Sequence, residues 1–268
     1  MYTQNDHTFA LCAYKESKYL EECINSLLSQ SVKSNIVIYT STPNESITAC
    51  AEKYGLDVFV NKGESGIGGD WNFAYNSTET ALVTIAHQDD LYEPDYLKEI
   101  LSLLNRAKEP IIAFCGYGEL RDGKKVYNNR LLKIKRLMLC PLNVKTFWKS
   151  KFVRRRVLSL GDPICCPSVT LVKNKCGASP FKNNYKSDLD WEAWEHLSNV
   201  KGSFAYTKNP LMCHRIHEDS ATTELINGNE RTKEDLSMYK KFWPVFIAKI
   251  LVKYYSASQK SNSQGDKQ

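Results

Sequence analysis

The feature that most constrains the fold is an apolar segment, residues 81–86, that ends directly on His87-Gln88-Asp89-Asp90. Five of its six residues are apolar, and a short apolar run bounded by polar residues is typical of a central strand in a parallel sheet. Ligands of open α/β sheets bind beyond the carboxyl ends of the strands, which is where Asp89 and Asp90 fall. Adjacent carboxylates repel each other unless a cation, a hydroxyl-rich ligand or water relieves them. The segment predicts either a ligand site or a solvated turn that caps the next helix.

Strand and helix patterns alternate through the first half of the chain, which predicts an α/β fold with a doubly wound, mostly parallel sheet and helices on both faces. Besides the strand above, strands are expected at residues 8–14, 36–39, 57–60, 110–115 and 168–172. Helices are expected at residues 20–28, 43–54, 71–76, 94–106, 131–139, 189–197 and 242–255. Asp122-Gly123 has the composition of a hairpin turn. The glycine-rich residues 63–69 are expected to form a loop, and their spacing is not that of a P-loop.

Size and composition indicate a globular protein with one large domain, or a domain with a small appendage. Of the 268 residues, 42% are hydrophobic and 25% are charged, which is usual for soluble proteins. The nine cysteines lack CxxC pairs or a zinc-ligand spacing, so a reducing cytoplasm is expected rather than a disulfide framework. No apolar run approaches the ~20 residues of a membrane span.

The net charge of +6 is concentrated in one segment. Between Gly123 and Gly161 there are twelve basic residues and no acid: Lys124, Lys125, Arg130, Lys133, Lys135, Arg136, Lys145, Lys149, Lys151, Arg154, Arg155 and Arg156. Such a patch predicts binding to nucleic acid, anionic lipid or a phosphorylated substrate. Residues 242–255 combine aromatic and aliphatic side chains with two lysines, so they fit an interfacial amphipathic helix or a helix packed on the domain.

Polar side chains follow three of the predicted strands, at the points where a doubly wound sheet brings strand ends to one edge. They are Tyr14 and Glu16 after the first strand, Thr40 after the second, and Asp89 with Asp90 after the fourth. Asp70 and Asn72 add polar groups at a helix start. Each of these is a routine cap or turn when taken alone, and their alignment at one edge favours a ligand site.

Two downstream segments carry further candidates. Asp188 and Asp190 lie at the start of a helix that contains two indoles, Trp191 and Trp194. A carboxylate there could deprotonate a hydroxyl, and aromatic faces suit the C–H faces of sugar rings. The alternative is an acidic cap followed by core tryptophans. The later segment 214–217 supplies arginine and histidine, which bind phosphate and divalent metals.

Over residues 8 to about 223 the chain resembles the inverting family-2 glycosyltransferases with the GT-A fold, of the bacterial polysaccharide-assembly type. The similarity rests on Ala13-Tyr14-Lys15-Glu16 and residues 26–30, on Asp89-Asp90 as the DXD-type motif, on Asp190 as the catalytic Asp, and on Arg215-Ile216-His217 with Ser220 as the late phosphate-binding loop. Two positions depart from the family pattern. Thr40-Ser41-Thr42-Pro43 stands where an Asp commonly reads the nucleotide base, and His87 begins the DXD position.

The resemblance implies a nucleotide-diphosphate sugar, a UDP-sugar by default, that is held by Mn²⁺ or Mg²⁺ and displaced directly at the anomeric carbon. Asp190 would be the general base, with Asp188 as the alternative. Asp89 would contact the ribose or the metal, and Asp90 the metal and the diphosphate. Arg215 and His217 would contact the diphosphate or the metal. Further substrate contacts are expected from Ala13, Tyr14, Glu16, Thr40, Asp70, Asn72, His87, Trp194 and Ser220.

The predicted organisation is a GT-A glycosyltransferase domain over residues 1–223, a helical extension over 224–255 that could associate with a membrane, and a disordered tail over 256–268. The acceptor is expected to be a lipid-linked saccharide at the inner, anionic face of the cell membrane. Nucleic acid is not expected as a partner, and the oligomeric state stays open. Two alternatives remain. A sugar nucleotidyltransferase would usually show a glycine-rich N-terminal loop, and a basic nucleic-acid-binding module would explain only the clustered charge.

Overall fold

The computed structural model describes residues 1–64, 66–182, 184–217 and 229–264. Its strands are β1 (His7–Ala13), β2 (Asn35–Thr40), β3 (Asp57–Val60), β4 (Leu82–His87), β5 (Leu91–Tyr92), β6 (Pro110–Arg121), β7 (Lys124–Val126), β8 (Val169–Val172) and β9 (Ser203–Ile216). Its helices are α1 (Leu20–Leu28), α2 (Glu45–Tyr54), α3 (Ile67–Ser77), α4 (Tyr96–Arg106), α5 (Arg130–Leu139), α6 (Lys151–Val157), α7 (Lys173–Cys176), α8 (Leu189–Ser198), α9 (Asn229–Lys240) and α10 (Val245–Gln264).

One mixed sheet runs through the molecule in the order β3-β2-β1-β4-β8-β6-β9-β5, with β7 paired to β6. The first four strands in this order are parallel, as the alternating pattern predicts. The second half is mixed because β8 runs antiparallel to both β4 and β6, whereas β6 and β9 are parallel. The predicted α/β class is confirmed.

The register of the parallel strands places their carboxyl ends at one edge. Ala13 lies opposite Thr40, and Cys12 lies opposite His87. The residues that follow β1, β2 and β4 therefore meet at this edge, as the sequence predicts. Asp122 and Gly123 form the hairpin turn between β6 and β7, with φ of 48° and 75°.

The ends of α1 and α2 show which residues cap these helices. Asn44 caps α2, because its side-chain oxygen accepts a hydrogen bond of 3.0 Å from the Ile47 backbone, and Gly55 ends the helix with φ 63°. Thr42 does not cap α2, since its hydroxyl accepts instead from the Lys15 backbone N–H at 2.5 Å. Ser17 does not cap α1 directly, and the helix begins after Tyr19.

The second half contains elements that the sequence did not predict. β9 extends over Ser203–Ile216 and lies beside a lengthened β6. At Gly116 the two strands come so close that a Cβ atom would lie 2.5 Å from the Lys208 carbonyl oxygen. Glycine at this position therefore permits the pairing.

The C-terminal helices pack on the domain. Tyr255 of α10 lies 6.1 Å from the Trp191 ring and 6.0 Å from the Tyr239 ring, measured between ring centres. The predicted boundary at 223/224 lies outside the described residues. The backbone is helical through 256–264, where the sequence predicted a disordered tail, because no Gly or Pro interrupts the chain between Pro244 and Gly265. None of the described helices is long and apolar enough to cross a membrane.

Candidate functional site

A compact group of potential metal ligands lies where β4 ends. One ligand atom from each of His87, Asp89 and Asp90 lies within 4.8 Å of the others. Asp90 is fully buried, and its Oδ2 and the Nε2 atom of His87 have no hydrogen-bond partner within the described part of the chain. Buried polar atoms without partners cost free energy, so these two atoms are the natural ligand positions for a cation. The donor set fits a divalent metal ion.

His87 is held in a position that suits this role. Its ring stacks on Trp71, with 5.0 Å between ring centres and 19° between ring planes. Burial lowers the pKa of His87, so the imidazole is neutral and keeps a lone pair for a metal. The residue that departs from the DXD pattern is therefore part of the cluster.

Residues at the end of β9 contact both carboxylates of the cluster, Asp89 and Asp90. Pairing of β9 with β5 brings His214 and Arg215 against Asp90, whose Oδ1 lies 2.9 Å from His214 Nδ1 and accepts a 2.9 Å bond from the Arg215 backbone. His217 Nε2 lies 2.9 Å from Asp89 Oδ2. Burial alone would lower the pKa of His214, but the Asp90 carboxylate raises it to about 9. The predicted late loop thus reaches the DXD-type motif.

The side chain of Arg215 forms hydrogen bonds to other groups of the protein. Its Nε donates to the Asp89 carbonyl at 2.8 Å, and its Nη2 pairs with Glu22 at 2.5 Å. Its guanidinium lies 4.2 Å from the centre of the Tyr19 ring. Arg215 therefore fastens the Asp89-Asp90 turn to α1 in this structure. Ser220 lies outside the described residues.

The ends of β1 and β2 border an open cleft of about 620 Å³, lined by Lys15, Glu16, Thr42, Pro43, Asn44, Glu45 and Ser46. Ala13 ends β1, and the exposed Tyr14 exchanges two backbone hydrogen bonds with the Gln88 side chain, at 3.0 and 2.9 Å. Thr40 is buried, and its hydroxyl accepts from the Thr42 backbone at 3.0 Å. Donor-side residues predicted from separate strands therefore line one edge.

Two other residues that were predicted to contact the substrate, Asp70 and Asn72, are hydrogen-bonded to groups of the protein. Asp70 accepts hydrogen bonds from Ser41 Oγ at 2.8 Å and from Asn61 Nδ2 at 2.7 Å. Asn72 exchanges hydrogen bonds of 2.6 and 3.2 Å with the backbone of Phe181. Asp70 thus orders the loop after β2, and Asn72 anchors the segment before α8.

Asp190 lies in the first turn of α8, and its Oδ1 accepts a 2.9 Å bond from the Trp191 backbone. Burial raises the pKa of Asp190, whereas the Asp162 carboxyl group and the charge of Lys135 act to lower it. From the sequence, residues 161–168, which include Asp162, are expected to line the acceptor side, and Lys135 is expected only as part of the basic segment. Asp162 is also the first acidic residue after Asp122.

Asp188 and Trp194 have other surroundings. Asp188 is buried against Asp235 of α9, and burial together with the Asp235 charge raises its pKa well above the usual range. Trp194 is fully buried and donates from its indole to the Ile164 carbonyl at 3.3 Å. Its indole is part of the core and offers no platform for a sugar ring.

The twelve basic residues between Gly123 and Gly161 differ in their exposure to solvent. Arg154 is fully buried, Lys135 faces Asp162 and Asp190, and Arg155 pairs with Glu195. The exposed basic residues are Lys124, Lys125, Arg130, Lys133, Lys145, Lys149, Lys151 and Arg156. Large apolar side chains are exposed on the same elements and on α10, including Leu137 at 73%, Phe152 at 70% and Phe246 at 67%. All nine cysteines are free.

Residues 8–175 match the family model described as glycosyl transferase family 2. An uncharacterized glycosyltransferase of Rickettsia typhi is 23% identical over 240 residues, which cover 88% of this chain and 70% of that protein. A second, from Rickettsia bellii, is 24% identical over 243 residues, which cover 88% of this chain and 32% of that protein. The chain therefore spans about a third of the length of this second relative.

Solved structures share the fold. The mannosyltransferase PcManGT from Pyrobaculum calidifontis, in complex with GDP-Man and Mn²⁺, has a TM-score of 0.64 at 13% identity, covering 94% of this chain and 70% of that chain. S. aureus TarS in complex with UDP-GlcNAc has a TM-score of 0.60 at 15% identity, covering 92% and 70%. Glucosyl-3-phosphoglycerate synthase from Mycobacterium tuberculosis, with Mn²⁺ and UDP-Glc, has a TM-score of 0.55 at 13% identity, covering 87% and 79%.

Proposed function

The chain belongs to glycosyl transferase family 2 and has the GT-A fold, and on this premise we propose that it transfers a sugar, with inversion, from a nucleotide-diphosphate sugar to a hydroxyl of a saccharide acceptor. The observation that carries the proposal is the juxtaposition of two acidic groups. The charge of Asp190 acts on His87, and Cys165 is within electrostatic reach of both Asp90 and Asp190. The cation-binding cluster and the proposed base are thus within electrostatic reach of each other, which supports direct displacement.

The donor is proposed to lie across the ends of β1, β2 and β4. Similar folds bind GDP-Man, UDP-GlcNAc and UDP-Glc, which supports a nucleotide sugar as the ligand class. The open cleft beside Tyr14, Glu16 and Thr40 offers space for the nucleoside, with UDP as the default. Two of its lining residues, Thr42 and Pro43, belong to the segment that departs from the family's base-reading pattern.

We propose that Asp89 and Asp90 hold Mn²⁺ or Mg²⁺, with His217 and His87 as nitrogen donors or orienting groups. The fit rests on the buried Asp90 Oδ2 and His87 Nε2 atoms, which have no hydrogen-bond partner among the described residues. His217 lies 2.9 Å from Asp89 Oδ2, so it either orients this carboxylate or shares in binding. When bound, such an ion neutralises the negative charge of the departing diphosphate.

Asp190 is the proposed general base. Its carboxylate accepts the proton of the acceptor hydroxyl, whose oxygen attacks the anomeric carbon as the bond from that carbon to the nucleoside diphosphate breaks. Burial raises the pKa of Asp190 and makes it a stronger base than an exposed Asp. General base catalysis of this kind contributes ~10²–10⁴-fold to the rate. Asp188, the alternative, faces Asp235 and is enclosed by α9.

The acceptor is proposed to be lipid-linked and presented at the cytoplasmic face of the cell membrane. Supporting this, exposed lysines and arginines share α5 and α6 with the exposed side chains Leu137 and Phe152, and Phe246 is exposed on α10. Cationic and apolar side chains together favour an anionic lipid surface. Family membership favours sugar transfer over a sugar nucleotidyltransferase or a nucleic-acid-binding module.

A donor panel tests the proposal. The protein is incubated with nucleotide sugars and Mn²⁺, nucleotide release is measured, and donor binding is followed by calorimetry. We expect Asp190→Asn to bind the donor and lose transfer, and Asp89→Asn to weaken donor binding. Asp57→Asn, an exposed carboxylate on β3, is the matched control and is expected to behave as the unaltered protein. If the intact protein neither binds nor hydrolyses any donor, the proposal fails.

A further inference from the structure

The residues that lead into α8, the helix of Asp190, are bound by a side chain of α9. Asp188, directly before α8, makes no capping hydrogen bond with its own side chain. Instead, the Glu234 carboxylate accepts hydrogen bonds from the backbone N–H groups of Lys186 (2.9 Å), Ser187 (2.8 Å) and Asp188 (3.3 Å), and from the Ser187 hydroxyl (2.7 Å). Successive N–H groups that point at one anion form a binding site for it. One carboxylate therefore fixes the backbone immediately before the turn that holds Asp190.

Glu234 makes this contact as a charged group. Burial alone would raise the pKa of Glu234, but the hydrogen bonds from Ser187, Lys186 and Asp188 lower it. Hydrogen bonds to an ionised acceptor are stronger than those between neutral groups. The carboxylate also lies beside the N-terminal end of α8, where the positive end of the helix dipole attracts negative charge. Electrostatics and geometry therefore both favour this position of the start of α8.

The rest of α8 is held by contacts that do not involve Glu234. Lys241, which follows α9, donates a 2.9 Å hydrogen bond to Glu192 Oε1, and its Nζ lies 3.3 Å from Glu195 Oε2. Both glutamates come after Asp190 along the helix. These contacts keep α8 packed on the C-terminal helices whether or not Glu234 is present. Loss of Glu234 is therefore expected to release the first turn of α8 without unfolding the helix.

We propose that Glu234 is a positioning residue, which holds the start of α8 so that the Asp190 carboxylate is directed at the acceptor hydroxyl. This inference rests on the proposed role of Asp190 as general base. Glu234 takes no part in the proton transfer, because its carboxylate stays bound to the backbone while Asp190 accepts the proton. A reacting group displaced by about 1 Å can cost ~10²-fold in rate, so the contact acts on kcat. Because α9 lies outside residues 8–175, the match to the family model does not imply this contact.

Glu234→Ala tests this role in the full chain, with nucleotide release from UDP-GlcNAc, GDP-Man and UDP-Glc measured in the presence of Mn²⁺. We expect kcat to fall ~10–100-fold with KM for the nucleotide sugar unchanged, since the loss cannot exceed the ~10²–10⁴-fold that a general base contributes. Glu234→Gln should recover most of kcat, because its amide oxygen can accept the three bonds that Oε2 accepts. Lys233→Ala, at an exposed position of the same helix, is the matched control and should leave kcat unchanged.

Two further measurements separate positioning from simple packing. In the Asp190→Asn background, Glu234→Ala should cause no further loss of the residual nucleotide release, because both changes remove the same contribution. Hydrogen–deuterium exchange should become faster at residues 186–191 of Glu234→Ala and stay unchanged in the rest of α8. Ser187→Ala removes only the hydroxyl bond to Glu234, so it should lower kcat less than Glu234→Ala does.

The inference is overturned if Glu234→Ala keeps the kcat of the unaltered protein, lowers the residual rate of Asp190→Asn as well, or leaves exchange at residues 186–191 unchanged. If Glu234→Ala does not fold, Ser187→Ala decides, and an unchanged kcat in that variant overturns the inference. If Asp190→Asn transfers sugar at the full rate, or no nucleotide sugar is turned over, the proposed function fails instead. Exchange at residues 186–191 then still shows whether Glu234 holds the start of α8, so the two failures are distinguishable.

Discussion

Arg154 tests whether a buried basic residue of the segment between Gly123 and Gly161 stabilises the fold. Sequence places it among twelve surface-like charges, but its side chain is fully buried in α6. Its two terminal nitrogens each donate a 2.8 Å hydrogen bond, to the carbonyls of Gly202 and Val200. Its guanidinium lies 5.0 Å from the centre of the Phe204 ring. Arg154 therefore joins α6, which leads into the loop of Asp162, to the turn before β9.

We expect Arg154→Ala to reduce the free energy of unfolding by about 3 kcal/mol. A carbonyl that loses its buried donor costs ~1–3 kcal/mol, and the lost contact with Phe204 adds up to ~1 kcal/mol. Burial lowers the pKa of Arg154 to about 10, so the cost of desolvating the guanidinium offsets part of its gain in the intact protein. For a chain of this size the loss corresponds to a fall in Tm of ~6 °C.

Thermal unfolding followed by far-ultraviolet circular dichroism measures the effect. Lys151→Ala is the matched control, because it removes the same charge from an exposed side chain of the same helix. Exposed substitutions change stability by less than ~0.5 kcal/mol. Binding to vesicles with anionic lipid gives the converse readout: Lys151→Ala should weaken it by ~1 kcal/mol, whereas folded Arg154→Ala should bind unchanged. An unchanged Tm in Arg154→Ala, or equal losses in both variants, would refute the reasoning.

Three further outcomes are expected. Chelation of divalent ions should stop nucleotide release, and added Mn²⁺ should restore it, whereas Asp90→Asn should not be restored at the same Mn²⁺ concentration. Burial raises the pKa of Asp235 from 3.8 to about 6, so its contribution to stability is present below pH ~4 and is lost as the pH rises to ~6. Asp235→Asn should therefore raise the free energy of unfolding at pH ~7, by up to ~3 kcal/mol, with a smaller effect at pH ~4 in urea unfolding. Asn44→Ala should cost ~1 kcal/mol in the same assay, because α2 loses its cap.

The first half of the fold could be predicted because its signals are local. The spacing of apolar residues in α1 and the uninterrupted apolar run of β4 report burial directly, and Leu20, Ile24 and Leu27 are indeed buried. Gly55 and Asp122-Gly123 mark a helix end and a hairpin through backbone geometry alone. Because parallel strands point the same way, finding them also predicts which residues share the functional edge.

The second half could not be predicted because long-range pairing defines it. β9 is buried through Tyr206, exposed over residues 208–210 and buried again at Met212, so it shows no single period. It also contains Pro210, which argues against a strand in the middle of a sheet. Its partners β5 and β6 lie far earlier in the chain, and these two pairings bring Arg215 to the DXD-type motif. The sequence predicted the chemistry of this segment but not the strand that delivers it.

The choice between Asp188 and Asp190 shows what decides the chemistry of a carboxyl group here. Asp188 precedes α8 and Asp190 lies in its first turn, and the two side chains have different neighbours. The charge of Asp235 of α9 acts on Asp188, and the carboxyl group of Asp162, in the loop after α6, acts on Asp190. The sequence at the start of α8 contains both carboxylates but does not show which of them is the base. Their surroundings decide this, and those surroundings come from elements far away in the sequence. Two cations of the basic segment also differ in their surroundings. The charge of Lys135 acts on Asp162, whereas Arg154 is buried in the core.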